Sequence, residues 1–178
     1  VRKDGMESAN VRAITRGADV TEATLYRYFP DKKSMFEEVW KKEAYVFLDA
    51  LQKVILPVGD ASNAELLSNY VQEHFSLYDA NPAGYAYVFL SSAARKWRSA
   101  DSRYQEFKGD LGRIFGSMNQ SKSFDPLSAE MVRRIFISTI YFIPNSIESG
   151  QIEGPASRYA ADIVTISMRL LGNVPSGE

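Results

Sequence analysis

The sequence predicts an all-α fold: three short N-terminal elements leading into a bundle of longer helices. Three observations carry this reading. Apolar residues recur with the helical period almost throughout. Alternating apolar and polar runs joined by Gly-rich hairpin turns, the mark of strands, are missing. The breaks between periodic segments hold Pro, Gly or a capping Asp or Ser, as at Asn81-Pro82, Ser99-Ala100-Asp101, Phe124-Asp125-Pro126 and Gly150 to Pro155. A length of 178 residues suits one domain, or a small domain with an appended module, and 45% hydrophobic with 24% charged residues is ordinary for a globular chain.

Element by element, Asn10 is a plausible N-cap for a short helix that runs to Arg16. Gly17-Ala18-Asp19-Val20 then breaks it, and Asp19 is a residue type that tolerates a left-handed backbone. Thr21 caps a second short helix, Glu22 to Phe29, which Pro30-Asp31 ends because proline cannot continue the hydrogen-bond ladder. A long helix spans Lys32 to Ile55 and stops at Pro57-Val58-Gly59-Asp60. Further helices are expected over Ala64–Tyr78, Ala83–Lys96, Ser102–Asn119, Ala129–Ser149 and Ala156–Leu171, with Pro144 kinking or breaking the fourth of these. No internal repeat is visible.

Composition excludes several chemistries. There is no Cys and one His, which removes disulfides, thiol catalysis and most transition-metal sites, and no cofactor or metal is expected. No nucleophile–base pair is evident, so no catalytic residue is assigned. The longest apolar-rich run, Ile135 to Ile147, is too short to span a membrane, and the N-terminus has no signal-peptide core. The lack of Cys fits a reducing cytoplasm. The formal charge of −1 argues on its face against a nucleic-acid partner, but it averages unlike parts. Between Asn10 and Lys33, five basic residues (Arg12, Arg16, Arg27, Lys32, Lys33) outnumber three acidic ones (Asp19, Glu22, Asp31).

Two short helices joined by a tight turn form a helix-turn-helix. Val11, Ile14, Ala18 and Val20 are spaced to pack the first helix on the second, where Leu25 and Phe29 share one face. Turning about 100° per residue puts Ala23 and Arg27 opposite this face and Thr24 and Tyr26 on its flanks, so these four make the exposed face. Tyr and Arg can bond bases or phosphates, and Ala can approach a thymine methyl. Thr21 stands at a helix end suited to a phosphate, with Lys32 and Lys33 just beyond the second helix. The same pair could also merely brace the bundle.

The run Asn10 to Lys32, and within it Thr24-Leu25-Tyr26-Arg27-Tyr28-Phe29-Pro30-Asp31-Lys32, resembles the DNA-binding module of TetR-family transcriptional regulators, whose signature reads T-L-Y-x-[HY]-F-x-[SDN]-K. The resemblance implies a homodimer whose subunits join a three-helix DNA-binding domain, here residues 1–45, to a ligand-binding and dimerisation domain, here residues 46–178. It implies that Leu25 and Phe29 are core, that Thr21, Thr24, Tyr26, Tyr28 and Lys32 hold phosphates or base edges, and that Glu22, Ala23 and Arg27 set sequence preference. Ala9, Ala13, Asp19 and Ala23 depart from the family's usual Thr, Asp, Gly and Gly. The family's first helix should precede Gly5, so the chain reads as truncated before Val1.

In the bundle, aromatic residues crowd the middle of the chain. Tyr70, His74, Tyr78, Phe89, Trp97, Tyr104, Phe107 and Phe115 are candidates to line a cavity for a small apolar or aromatic effector, with tyrosine hydroxyls as polar handles. Each taken singly could be ordinary core, and His74 a satisfied helix residue. The basic run Arg95-Lys96-Trp97-Arg98 favours a helix C-terminal dipole and solvent, with an anion contact as the alternative. The last two helices are apolar on nearly all sides and predict a two-fold interface through Val132, Phe136, Ile140, Ala160, Ile163, Val164 and Leu171.

The combined expectation is a helix-turn-helix module on a ligand-binding, dimerising helical bundle. It would act as a repressor that binds operator DNA as a homodimer and is released by a small effector. The rival readings are a dimeric small-molecule-binding protein with a vestigial DNA-binding head, an enzyme with an aromatic pocket, for which no acid–base cluster is evident, and an activator.

Overall fold

A computed structural model describes residues 10–56, 62–120 and 129–170, all helices and connections. Helix α1 is Val11–Gly17, capped by the Asn10 side chain, which accepts from Arg12 N at 2.9 Å. The turn that follows carries Asp19 at φ 52°, in the left-handed region. Helix α2 is Glu22–Tyr28, with Thr21 Oγ1 accepting from Thr24 N at 3.0 Å. Helix α3 runs Lys32–Ile55 behind a capping box in which Asp31 accepts from Ser34 N at 2.7 Å and Ser34 Oγ accepts from Asp31 N. Helix α4, Asn63–Ala80, starts on a second box formed by Ser62 and Glu65.

The expected helix over Ala83–Lys96 is not one helix. It divides into α5 (Pro82–Tyr85), a π-helical segment (Ala86–Leu90), a turn, and α6 (Arg95–Ala100). Side chains from outside the segment take over its carbonyls. The Val88 carbonyl accepts from Arg98 Nη1 at 2.6 Å and Trp40 Nε1 at 3.5 Å, and the Ser91 carbonyl from Arg98 Nη1 at 3.2 Å, so side chains replace the helical ladder there. Helices α7 (Ser102–Gln120) and α8 (Ala129–Glu148) follow. Helix α8 continues through Pro144 without a break. The last expected helix begins as a 3₁₀ turn, Ala156–Tyr159, before α9 (Ala160–Leu170). The Asp79 carboxylate organises that start by accepting from Ala156 N at 2.6 Å and Ser157 N at 2.9 Å.

Helix α4 is the centre of the bundle, packed on α3, α8 and α9, while α7 packs on both α3 and α8. The core it organises includes Trp40, Leu48, Leu67, Tyr70, Phe75, Tyr85, Phe115, Phe136 and Ile140, all essentially inaccessible. Each such aliphatic or aromatic side chain contributes about 1.5–3 kcal/mol by leaving water. Among the described residues, no buried side-chain polar atom lacks a hydrogen-bond partner, and no helix is long and apolar enough to cross a membrane.

Two packing expectations need correction. Ile14, Leu25 and Phe29 do pack against the core, but Ala18 is exposed and Val20 is 39% exposed, because two short helices enclose little between them. Of the residues expected at a dimer interface, Val132, Phe136, Ile140, Ala160 and Ile163 are buried inside their own subunit and Val164 is half-buried; Leu171 lies outside the described residues. The helix has two apolar stripes, and these residues sit on the inner one. The outer one carries Met131 and Phe142, at 48% and 59% exposure, and α9 carries Ile166 at 46%.

Candidate nucleic-acid interface and ligand cavity

The outer face of α2 is built by its caps and its core pair. With Leu25 and Phe29 turned inward, Glu22, Ala23, Tyr26, Arg27 and Tyr28 are exposed and Thr24 is half-exposed. Tyr28 is 69% exposed and Tyr26 43%, large aromatic areas to leave in water on so small a module. Arg27 is pre-oriented by Tyr28: its guanidinium lies 5.2 Å from that ring's centroid and Nη2 donates to the Tyr28 hydroxyl at 3.2 Å. Glu22 accepts from Arg12 Nε at 3.2 Å, which joins the two helices across the turn. The Thr21 and Thr24 hydroxyls are hydrogen-bonded to each other at 2.9 Å. Lys32 is half-buried in the first turn of α3, with exposed Lys33 beside it. The eight candidate DNA-contacting residues thus fall on or beside one accessible face. Gly5 and Ala9 of the resemblance lie outside the described residues.

The cavity lies between α6, α7 and α8, with a volume of about 260 Å³. Of the eight residues expected to line it, Tyr70, Tyr104 and Phe107 do. His74, Tyr78, Phe89, Trp97 and Phe115 are absent from its wall and buried in the core. His74 is fully enclosed: one ring nitrogen is bonded to the Tyr70 hydroxyl at 3.0 Å and the other to the Tyr85 hydroxyl at 2.8 Å. The rings of Tyr70, Tyr85, Phe89 and Tyr141 surround it at centroid distances of 4.9–5.8 Å. Burial holds its pKa down at about 3, so this imidazole is neutral. Tyr78 instead donates to Glu148 at 3.0 Å, joining α4 to the end of α8.

Sequence reasoning missed much of what lines the cavity. Arg95, Arg98, Lys108 and Arg133 face it, with Tyr141, Leu111, Ile137, Ser99 and Gln105. The one available signal was the basic run at Arg95 to Arg98, read there mainly as a solvated helix end. Tyr70, Phe107 and Leu111 are buried and form the floor, while Arg95, Ser99, Gln105 and Lys108 are exposed and form the rim.

The segments beside the cavity, from Tyr87 to Arg103, are tied to α3, the helix that starts directly after α2. Arg98 and Trp40 share the Val88 carbonyl; Tyr87 donates to the Phe36 carbonyl at 2.7 Å; Tyr45 donates to Asp101 at 2.9 Å; and Arg103 pairs with Asp49. Among the described residues, no group of three His, Cys, Asp or Glu side chains could hold a metal ion.

Comparison with known proteins agrees with this architecture. Residues 2–39 match the family model described as bacterial regulatory proteins, tetR family. No curated protein matches the sequence. Among solved structures, the chain is similar to the transcriptional regulator FadR from Bacillus subtilis, solved in complex with stearoyl-CoA, at 18% identity and TM-score 0.74, covering 97% of this chain and 92% of that one. It is similar to a tetR-family bacterial regulatory protein from Rhodococcus RHA1 at 16% identity and TM-score 0.72, covering 96% and 90%. It is also similar to the ketosteroid transcriptional regulator KstR2 of Mycobacterium tuberculosis at 16% identity and TM-score 0.69, covering 94% and 87%. The N-terminal helix-turn-helix region thus matches the tetR-family model, and the whole described chain shares the fold of these solved regulators.

Proposed function

We propose that this protein is a cytoplasmic transcriptional repressor that binds operator DNA as a homodimer through α2 and leaves it when a small ligand enters the bundle. The observation that carries the ligand response is the set of bonds from the segments flanking the cavity, Tyr87 to Arg103, to α3 at Phe36, Trp40, Tyr45 and Asp49. A ligand that displaces α6 or α7 displaces α3, and α3 carries α2 at its N-terminal end. The proposed division into a DNA-binding domain, 1–45, and a ligand-binding domain, 46–178, falls inside α3, which serves both.

In a dimer the two α2 helices would enter successive major grooves about 34 Å apart. Ligand binding shifts the population to a state with another spacing, provided the ligand prefers that state. The outer stripe of Met131 and Phe142 on α8, with Ile166 on α9, supports a two-fold interface there. The stearoyl-CoA held by the FadR neighbour supports an effector with an apolar part.

The test is an electrophoretic shift of the DNA beside the protein's own coding region, repeated across salt concentrations. Specific retardation that weakens steeply with salt is expected. The absence of any salt-dependent DNA binding would refute the repressor reading and leave a ligand-binding protein with an inactive head.

A further inference from the structure

We propose that the cavity between α6, α7 and α8 takes a compact amphipathic anion. Its acidic head would sit at Arg95, Arg98 and Lys108, and its apolar or aromatic body on Tyr70, Phe107 and Leu111. This rests on the ligand-responsive reading and deepens it by naming the ligand's chemistry.

The first support is charge. Among the described lining residues, four are cationic and none is acidic. Arg133 is compensated by Glu130, whose two oxygens accept from its guanidinium at 2.8 and 2.9 Å. Among the described residues, no ion pair joins a carboxylate to Arg95, Arg98 or Lys108. Arg98 bonds only neutral carbonyls, which position the guanidinium and leave its charge in place. Like charges gathered on one concave surface repel, and an anion relieves that repulsion.

The second support is the gradient from floor to rim. Buried rings and Leu111 lie at the bottom, and the exposed cations Arg95 and Lys108 at the mouth. A purely apolar ligand would leave the rim charges partnered by water alone. A fully polar anion would leave the floor unfilled. The third is size: about 260 Å³ is just under the usual span of ligand cavities, roughly 300–1,000 Å³, so the ligand is compact.

The test uses the full chain and two fluorescent probes of nearly the same aromatic body: anilinonaphthalene sulfonate, an anion, and N-phenylnaphthylamine, which is neutral. Saturable binding at one site per chain is expected, with the sulfonate tighter by about tenfold or more through charge-assisted hydrogen bonds. The double variant Arg95→Gln/Lys108→Gln changes exposed side chains only, so the fold persists. It should weaken the sulfonate by about three- to tenfold and leave the neutral probe unchanged. Octanoate and octyl phosphate then compete for the bound sulfonate against octanol. Displacement by either anion supports the proposal and tells a carboxylate head from a phosphate head.

Equal affinity for both probes, an unchanged double variant, or displacement by octanol alone overturns it. The DNA shift assay keeps the two readings apart. Anion preference without salt-dependent DNA binding supports this cavity assignment while the repressor reading fails. DNA binding without anion preference removes the cavity assignment alone.

Discussion

His74 should make the protein's stability fall as pH drops from about 7 to about 5. The ring is fully buried among Tyr70, Tyr85, Phe89 and Tyr141, and among the described residues no carboxylate faces it. Its pKa in the folded chain is about 3, against an ordinary value of 6.5. The folded value lies below the unfolded one, so through that window the unfolded chain binds the proton more readily. Stability is therefore fully present above the unfolded pKa and is lost as pH falls, at about 1.4 kcal/mol per pH unit.

Between about pH 7 and pH 5 the integrated loss is about 2 kcal/mol. For a chain of this size that corresponds to a drop in Tm of about 4–8 °C. Calorimetric melts at fixed protein concentration measure it. Other groups do not share the window. The carboxylates with lowered pKa values, Glu130 at about 2 through Arg133, Asp31 through Ser34 and Glu65 through Ser62, release stability only below their ordinary range near 4. The sequence has one histidine, so the slope above that range belongs to His74. A His74→Gln variant should lose the slope whatever its absolute Tm. An unchanged Tm across this range, or a histidine resonance titrating near its ordinary pKa, would refute the reasoning.

Three other outcomes are expected. Arg27→Ala should relax operator preference, while Lys32→Ala should weaken binding to all DNA alike and lower the salt slope by about one, both read from binding isotherms across salt. Phe142→Glu puts a charge into the outer stripe of α8 and should turn a dimer into monomers on sedimentation; an unchanged dimer would move the interface elsewhere. Asp79→Ala removes two acceptors at the start of the 3₁₀ turn and should cost about 1–3 kcal/mol in urea unfolding, with loss of amide protection centred on Ala156 and Ser157.

Much of the architecture was legible because its causes are local. Asn10, Thr21 and Asp31 cap their own helices within three residues, and Asp19 supplies its own left-handed turn. The exposed face of α2 followed from helical rotation once Leu25 and Phe29 were placed inward. The π segment was not legible, because the donors that displace its ladder, Trp40 and Arg98, sit outside it.

The same division runs through the function. The sequence by itself determined the helical class, the helix-turn-helix module and the residues on its outer face, since caps, turns and helical phase act within a few residues of one another. Only the tertiary structure decided which of two apolar stripes on α8 turned inward, since periodicity marks a stripe as apolar without saying what covers it. It also decided that His74 is a sealed core residue, and that arginines and a lysine from three helices line one cavity. Those outcomes depend on which helices become neighbours, and that is set by the packing of the whole core.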